Sequence, residues 1–153
     1  MSVDFFLQVI KKNFKKNALV WNSKNYTYKW LFDRYEYWNS IIIKRQISLK
    51  SVIAVEGDFS PNSIALLLSL IKFNKIIVPL SKDLSNYKKK EFLKISQAEI
   101  LIKLDSKDKV TINRFSSKLN NKNLLKLTKL NHPGLILFSS GSSGKNKAAI
   151  HDM

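Results

Sequence analysis

Apolar and polar residues alternate along this chain in blocks that predict strands and helices in turn. Three short and almost continuously apolar runs lie at Val52–Val55, Ile76–Val78 and Glu99–Leu104. Such runs are typical of strands that are buried on both faces of a parallel sheet. Two segments with helical spacing separate them, the first opened by Pro61 and the second by Ser85. This order predicts an α/β fold, with a mostly parallel sheet covered by helices on both faces.

Further elements are predicted on either side of this unit. Pro79 is expected to stop the second strand, and the helix after Ser85 is expected to bury Tyr87, Phe92 and Ile95. A further strand is predicted at 110–112. Residues 115–132 read as a polar, basic connection with a helical turn at 124–130, in which 115–123 is linker-like, and a short buried strand is predicted at 134–138.

The N-terminal part predicts two helices joined by a hairpin. Asp4 is expected to cap the first helix, whose lysine-rich face suits a solvated surface, which we favour, or a membrane surface. Turn residues at 22–25 predict the hairpin, and Thr27 is expected to cap a second helix that ends near Arg45. The predicted apolar faces are Phe6, Leu7, Ile10 and Phe14 in the first helix, and Leu31, Tyr35, Trp38, Ile41 and Ile42 in the second.

The candidate chemistry lies in a loop rich in hydroxyl groups and glycine, at residues 139–147 after the last predicted strand. Glycines allow the backbone to approach a ligand closely, and hydroxyl and N–H groups can point toward a phosphate. Lys145 and Lys147 would add positive charge. A Walker loop is disfavoured, because Gly141 and Gly144 are only three residues apart and Asn146 follows Lys145. A flexible linker is disfavoured too, because apolar runs flank the loop.

This loop resembles the phosphate-binding signature of the adenylate-forming superfamily, which includes acyl-CoA synthetases and peptide-synthetase adenylation domains. The matching residues are Ser139, Ser140, Gly141, Ser142, Ser143, Gly144 and Lys147. The chain departs from the pattern at Asn146, where proline is usual, and at Ala148, where glycine is common. Two upstream segments resemble the family in the expected order: Tyr26–Leu31 and Leu70–Leu80, the latter with Asn74 in place of a usual glycine.

The resemblance covers about residues 18 to 153 and implies a function. The family joins a carboxylic acid to ATP as an acyl-adenylate, with Mg²⁺ present, and then passes the acyl group to a thiol of coenzyme A or of a carrier-protein pantetheine. The seven matching residues would bind the ATP phosphates. Residues 1–153 are expected to be an incomplete N-terminal portion of an AMP-binding domain that ends just after this loop, and to be inactive alone.

Charge and composition leave other readings open. The formal net charge is +16, from 27 Lys and Arg against 11 Asp and Glu. The excess is lysine, with 24 lysines to three arginines spread along the chain, and Lys, Asn and Ile together make 54 residues, as AT-rich codons would produce. Arginine is the better reader of bases, so we expect nonspecific polyanion affinity but no specific nucleic-acid partner. The alternatives are a non-catalytic nucleotide- or partner-binding module, and a basic α/β domain that binds nucleic acid nonspecifically.

Other chemistry finds little support in the sequence. The chain has no cysteine, which excludes disulfides and thiolate zinc sites. Its acidic residues show no metal spacing, so no metal site is predicted in the chain itself. Asp152 beside His151 could suggest an acid–base pair, but adjacent strand residues point to opposite faces, and both are interpreted as structural, as is His132. No apolar run is long enough to span a membrane, and the first residues do not resemble a signal peptide, so a cytoplasmic protein is expected.

Overall fold

The computed structural model describes residues 3–48, 51–140 and 146–153. These ranges contain five helices: α1 (Val3–Lys12), α2 (Tyr28–Lys44), α3 (Pro61–Lys72), α4 (Asn86–Ser96) and α5 (Lys122–Leu130). They contain eight strands: β1 (Asn17–Trp21), β2 (Lys24–Thr27), β3 (Val52–Glu56), β4 (Ile76–Leu80), β5 (Ile100–Leu104), β6 (Val110–Arg114), β7 (Gly134–Ser140) and β8 (Asn146–Asp152). No helix in the described ranges is long and apolar enough to cross a membrane.

Six strands form one sheet in the order β6-β5-β3-β4-β7-β8. The four central strands are parallel, and the edge strands β6 and β8 run antiparallel to their neighbours. The predicted α/β architecture is therefore confirmed, with a sheet that becomes mixed at its edges. The N-terminal hairpin of β1 and β2 stands apart from this sheet, and Asn22 and Ser23 turn it with φ angles of 48° and 60°.

Two apolar cores cover the two faces of the sheet, because successive strand residues point to opposite sides. One face packs against α1, α2 and α3 and includes Trp38, Leu66 and Ile77. The other face packs against α4 and α5 and includes Val78 and Leu124. We call these the α2–α3 face and the α4–α5 face.

The predicted starts of α2, α3 and α4 are confirmed. Thr27, Ser60 and Ser85 are N-caps whose hydroxyl groups accept hydrogen bonds from backbone N–H groups in the first turns of α2, α3 and α4. Pro61 occupies the first turn of α3, where its missing N–H costs nothing. Asn74 has a φ of 51°, so this residue takes the left-handed conformation in place of glycine.

Three predictions near the chain's start and centre are wrong. Asp4 lies within the first turn of α1 rather than capping it, and Phe6 on the same helix is 47% exposed. Pro79 does not stop β4, which continues to Leu80 with Pro79 opposite Val55. The pairing of β4 with β7 covers only Ile76 and Ile77, so the N–H that Pro79 lacks is not needed for that ladder.

The predicted buried face of α4 is also wrong at two of its three positions. Phe92 is buried, but Tyr87 is 78% exposed and Ile95 is 39% exposed. Tyr87 and Phe92 are five residues apart, which is about 140° around a helix, so one narrow face cannot hold both. Lys89 takes the inward position instead, with its Nζ 2.7 Å from Oε1 of Glu56 at the end of β3.

Lys75 is buried at the start of β4, where a charged side chain is costly. Its exposed fraction is 0%, and its Nζ donates hydrogen bonds to the carbonyl oxygens of Ile47 at 3.2 Å and Ser48 at 2.8 Å. Burial lowers the pKa of Lys75 from 10.5 to about 8, although the negative charge of Glu99 opposes this shift. The folded state therefore favours the neutral amine more than the unfolded state does.

We expect the contribution of Lys75 to make the free energy of unfolding rise as pH increases from about 8 to about 10.5. Below this window Lys75 is charged in both states, and the folded state bears the full cost of burying an ammonium group. Within the window the unfolded state still holds a proton that the folded state has released, so stability increases with pH. Urea unfolding at several pH values would measure the slope. Lys75→Met should remove this contribution and Lys94→Met, at an exposed position, should retain it; equal slopes in both variants would contradict the prediction.

Candidate phosphate-binding hairpin

The strand β7 brings the predicted loop to the carboxyl edge of the sheet. It is parallel to β4 with Gly134 opposite Ile76, which places Phe138 level with Leu80, the last residue of β4. Ser139 and Ser140 therefore extend about 6 Å past the end of β4, at about 3.3 Å per residue. Ligands of open α/β sheets bind at this edge.

Gly134 lies at the start of β7, close to side chains of two neighbouring elements. A Cβ atom added to Gly134 would lie 2.8 Å from Cδ1 of Leu127 in α5 and 3.3 Å from Cγ1 of Ile76 in β4. A larger residue at this position would therefore require the Leu127 side chain to move.

The strand β8 folds back on β7 and pairs the candidate residues with one another. Ser139 is opposite Lys147, and Ser140 is opposite Asn146. The N–H of Gly134 donates a hydrogen bond to the backbone carbonyl oxygen of Lys75, on the side of β4. The N–H of Met153 donates to the carbonyl oxygen of Pro133, on the other side of β7. Because hydrogen-bonded and non-hydrogen-bonded pairs alternate in an antiparallel ladder, Ser139 and Lys147 form a hydrogen-bonded pair, whereas the N–H of Asn146 points away from β7.

The side chains of Ser139 and Lys147 share one face of the hairpin and are exposed. Alternate residues of a strand point to the same side, so Ser139 lies on the same side of β7 as Leu135, and Lys147 opposite Ser139 shares that side. Leu135 packs against the core of the α2–α3 face. Cross-strand neighbours of this kind have Cβ atoms about 4.5–5.5 Å apart. Among the described residues neither side chain has a hydrogen-bond or ion-pair partner, so a hydroxyl donor and an ammonium group are available side by side for an anion.

The remaining predicted phosphate contacts are residues 140–144, between Ser139 and Lys147 in the sequence. Gly141, Ser142, Ser143 and Gly144 are outside the described residues, as is Lys145. Ser140 is described as the last residue of β7. The structure thus brings together the first and last members of the predicted set at the two ends of the loop.

Sequence reasoning missed the contacts between α4 and this hairpin. The rings of Phe92 and Phe138 are stacked with centroids 3.9 Å apart and an interplanar angle of 4°. The Nδ2 group of Asn146 donates a hydrogen bond to Oε2 of Glu91 at 3.0 Å. The apolar spacing of α4 pointed to Phe92, but no local signal connects Glu91 with a residue 55 positions away.

The histidine and aspartate near the end of the chain also pair differently from their order in sequence. Nδ1 of His132 lies 2.9 Å from Oδ1 of Asp152, while His151 lies on the opposite side of β8. Both members of the contact are about half exposed. The pair ties the residues after α5 to β8.

A cavity of about 250 Å³ opens at the same edge of the sheet, between the ends of β3 and β4 and the start of α3. Its polar groups are occupied by contacts within the protein. Ser63 donates to the carbonyl oxygen of Asp58 at 2.7 Å, and the carboxylate of Asp58 lies 2.6 Å from Nζ of Lys82. The cavity is therefore a mostly apolar depression, without a free charged group from these residues.

The described residues do not fit a metal site of their own. They contain no group of three or more His, Cys, Asp or Glu side chains placed to hold a metal ion. The hydroxyl of Ser139 is a single neutral oxygen, and divalent cations such as Mg²⁺ prefer carboxylates and phosphates.

No protein-family model matches the sequence, and no curated protein matches it. Solved structures do match. The N-terminal subdomain of Klebsiella oxytoca NpsA in complex with 3-hydroxyanthranilyl-AMSN has a TM-score of 0.73 at 19% identity, over 97% of this chain and 39% of that one. NpsA-ThdA, an artificially fused adenylation-PCP di-domain NRPS from the same organism, has a TM-score of 0.70 at 20% identity, over 97% and 32% of the two chains. VinN has a TM-score of 0.71 at 13% identity, over 97% and 44%.

These similarities extend over nearly the whole of this chain but less than half of each matched chain. The 153 residues therefore have the fold seen in the N-terminal subdomain of NpsA, an adenylation domain.

Proposed function

We propose that this chain provides the ATP phosphate-binding part of an AMP-forming carboxylic acid–thiol ligase. The observation that carries the proposal is the pairing of Ser139 with Lys147 at the carboxyl edge of the sheet, inside a sequence that resembles the phosphate loop of adenylate-forming enzymes. The fold supports the same assignment, since NpsA is similar over 97% of this chain. NpsA binds acyl-AMSN compounds, and we propose that this chain contributes to binding an ATP-derived ligand of the same class.

The proposed reaction has two steps. A carboxylate oxygen of the substrate attacks the α-phosphorus of ATP, the bond from that phosphorus to the bridging oxygen breaks, and pyrophosphate leaves with its electron pair. A thiol then attacks the acyl carbon, and AMP leaves. The pantetheine of a carrier protein is the acceptor we favour, because NpsA has been studied as a fusion with a PCP domain; coenzyme A is the other acceptor consistent with the loop.

In the first step this chain would hold the β- and γ-phosphates. The hydroxyl of Ser139 donates a hydrogen bond to a phosphate oxygen, and the ammonium of Lys147 offsets its negative charge. Ser140, Gly141, Ser142, Ser143 and Gly144 complete the proposed phosphate grip through hydroxyl and backbone N–H donors. Donors that are placed before the reaction stabilise charge that develops on the leaving pyrophosphate. Mg²⁺ bound by the ATP phosphates would offset part of their negative charge.

The test separates phosphate binding from chemistry. The purified 153-residue polypeptide should bind ATP and inorganic pyrophosphate in isothermal titration calorimetry at physiological salt. It should not catalyse carboxylate-dependent exchange of labelled pyrophosphate into ATP, because the resemblance assigns the adenine, ribose and catalytic-lysine contacts to segments that follow the loop. Exchange by this polypeptide would contradict the proposed division of labour, and absence of phosphate binding would favour a partner-binding module.

The strong positive charge makes a control with nucleic acid necessary. We expect duplex DNA to bind weakly, without sequence preference and with a steep loss of affinity as salt increases, because lysines spread over a surface act mainly by displacing counterions. Fluorescence anisotropy with two unrelated DNA duplexes at several salt concentrations would measure this. A complex with one duplex only, stable at about 150 mM salt, would instead support a nucleic-acid function.

A further inference from the structure

Helix α4 contacts both strands of the candidate phosphate-binding hairpin, one on each side of the loop. Phe92 stacks on Phe138, the residue directly before Ser139. Glu91 accepts the hydrogen bond from Asn146, the residue directly before Lys147. Both contacts lie on the α4–α5 face, opposite to the face that presents Ser139 and Lys147, so α4 supports the hairpin without covering the candidate anion site.

The helix is itself anchored to the centre of the sheet. Nζ of Lys89 lies 2.7 Å from Oε1 of Glu56, and both side chains are only 12% exposed. Three neighbouring positions of α4 therefore connect β3, β7 and β8. This arrangement fixes the hairpin relative to the central strands, although the pairing between β4 and β7 ends well before the loop.

Asn146 is the position at which the sequence departs from the usual proline of the resembling family. Proline would restrict φ there, and an antiparallel edge strand tolerates proline where the N–H points away from its partner. The N–H of Asn146 points away from β7, so the backbone at this position is free of the ladder. Its side chain instead makes a charge-assisted hydrogen bond to Glu91.

We propose that Glu91 and Asn146 form a positioning pair that fixes the exit of the phosphate loop and the direction of Lys147, in place of a proline at position 146. The inference deepens the proposed function and rests on it. Glu91 acts through Asn146 and does not touch the ligand. The hydrogen bond restrains the backbone of residue 146 from the side-chain end, as a proline ring would restrain it through φ.

Because Glu91 is negatively charged, a positioning role and a purely electrostatic effect of this residue predict opposite changes in phosphate affinity when it is removed. If Glu91 influenced the site only by its negative charge, its removal would strengthen the binding of a phosphate anion. If Glu91 positions the loop through Asn146, removal of its acceptor oxygen weakens binding. Glu91→Gln keeps an acceptor for Asn146 and removes the charge, whereas Glu91→Ala removes both.

The experiment measures the affinity of the full 153-residue chain for inorganic pyrophosphate, with Asn146 or proline at position 146. Glu91→Ala is expected to weaken binding about two- to tenfold in the Asn146 chain, the range of one net hydrogen bond. Asn146→Pro alone should bind as tightly as the natural chain, and Glu91→Ala added to Asn146→Pro should cause no further loss. Glu91→Gln should bind at least as tightly as the natural chain. Glu36→Ala, at an exposed carboxylate on α2, is the matched control and should have no effect.

A second readout does not depend on phosphate binding. Amide hydrogen exchange of Ser139 and Lys147, which face each other in the ladder, should accelerate about two- to tenfold in Glu91→Ala. The same substitution should leave exchange unchanged when proline occupies position 146. Equal effects of Glu91→Ala in both backgrounds, or none in either, would overturn the positioning pair. If the natural chain binds no pyrophosphate, the proposed function fails, while the exchange measurements still decide whether Glu91 restrains the hairpin.

Discussion

Replacement of Lys147 by alanine is expected to weaken the binding of ATP by roughly 10- to 150-fold, which corresponds to the loss of a charge-assisted contact of about 1.5–3 kcal/mol. The reason lies in the ladder of the hairpin, which holds Lys147 opposite Ser139 at the carboxyl edge of the sheet. Among the described residues no acidic group competes for this ammonium. Isothermal titration calorimetry of ATP into the chain at physiological salt would measure the loss, because salt suppresses the nonspecific attraction of a +16 chain for polyanions.

The comparison with other lysines decides whether position or net charge matters. Lys145→Ala is expected to have a much smaller effect, since the resembling pattern allows any residue there, and Lys24→Ala on the exposed β2 should have almost none. Gly144→Val should be severe, because the resembling pattern has glycine at this position and a β-branched side chain would crowd a phosphate. Equal losses at Lys147 and Lys145 together with a harmless Gly144→Val would show that this loop does not hold phosphate.

The fold could be predicted from the sequence where apolar runs and helix-start residues coincide with the strands and helices that are buried in the structure. The apolar runs of β3, β4 and β5 are short and continuous, and hydroxyl or proline residues mark the starts of the helices between them. The same spacing placed Trp38 and Tyr35 on the buried face of α2. These features depend on neighbours within one or two turns, which is the range that periodicity reports.

The tertiary structure decides the burial of some lysines through partners far along the chain, and one of them belongs to the α4 face that was predicted wrongly. Lys89 lies on the inward side of α4 because it forms an ion pair with Glu56, 33 residues earlier in the chain. Tyr87 is exposed. Lys75 is buried because the carbonyl groups after α2 accept its hydrogen bonds. Hydrophobic periodicity alone predicts that every lysine of such a segment is exposed to solvent. Buried lysines therefore cannot be identified without the tertiary structure.

The candidate site likewise has features that the sequence predicts and features that depend on tertiary structure. The motif identified Ser139 and Lys147 as members of one loop, and β7 delivers them to the edge that the α/β pattern predicts. Their direct pairing depends on the register of β8, because a shift of one residue would turn Lys147 to the other face. The support from Glu91 depends on the packing of α4, which no motif records.

The largest effect on stability is expected from Trp38→Ala. Trp38 is 1% exposed on the α2–α3 face, and its Nε1 donates a hydrogen bond of 2.9 Å to Oδ1 of Asn62, which is itself buried. Truncation of a buried tryptophan to alanine costs about 3–5 kcal/mol through lost transfer energy and the cavity that remains. The whole stability of a domain is about 5–15 kcal/mol, so this variant should lose much of its folded population in urea unfolding followed by circular dichroism.

Trp38→Phe keeps the prediction measurable if the alanine variant does not fold. The phenyl ring retains most of the apolar contact but leaves Oδ1 of Asn62 without its donor, and a buried polar group in that condition costs about 1–3 kcal/mol. Ile43→Ala on the same helix is the control, because Ile43 is 64% exposed and surface substitutions usually change stability by about 0.5 kcal/mol or less. The order of cost should therefore be Trp38→Ala, Trp38→Phe and Ile43→Ala. A Trp38→Phe variant as stable as the natural chain would mean that the hydrogen bond between Trp38 and Asn62 contributes nothing to the free energy of unfolding, and would leave the hydrogen bond from Ser69 to Asn39 and the apolar packing as the contacts that hold α2 and α3 together.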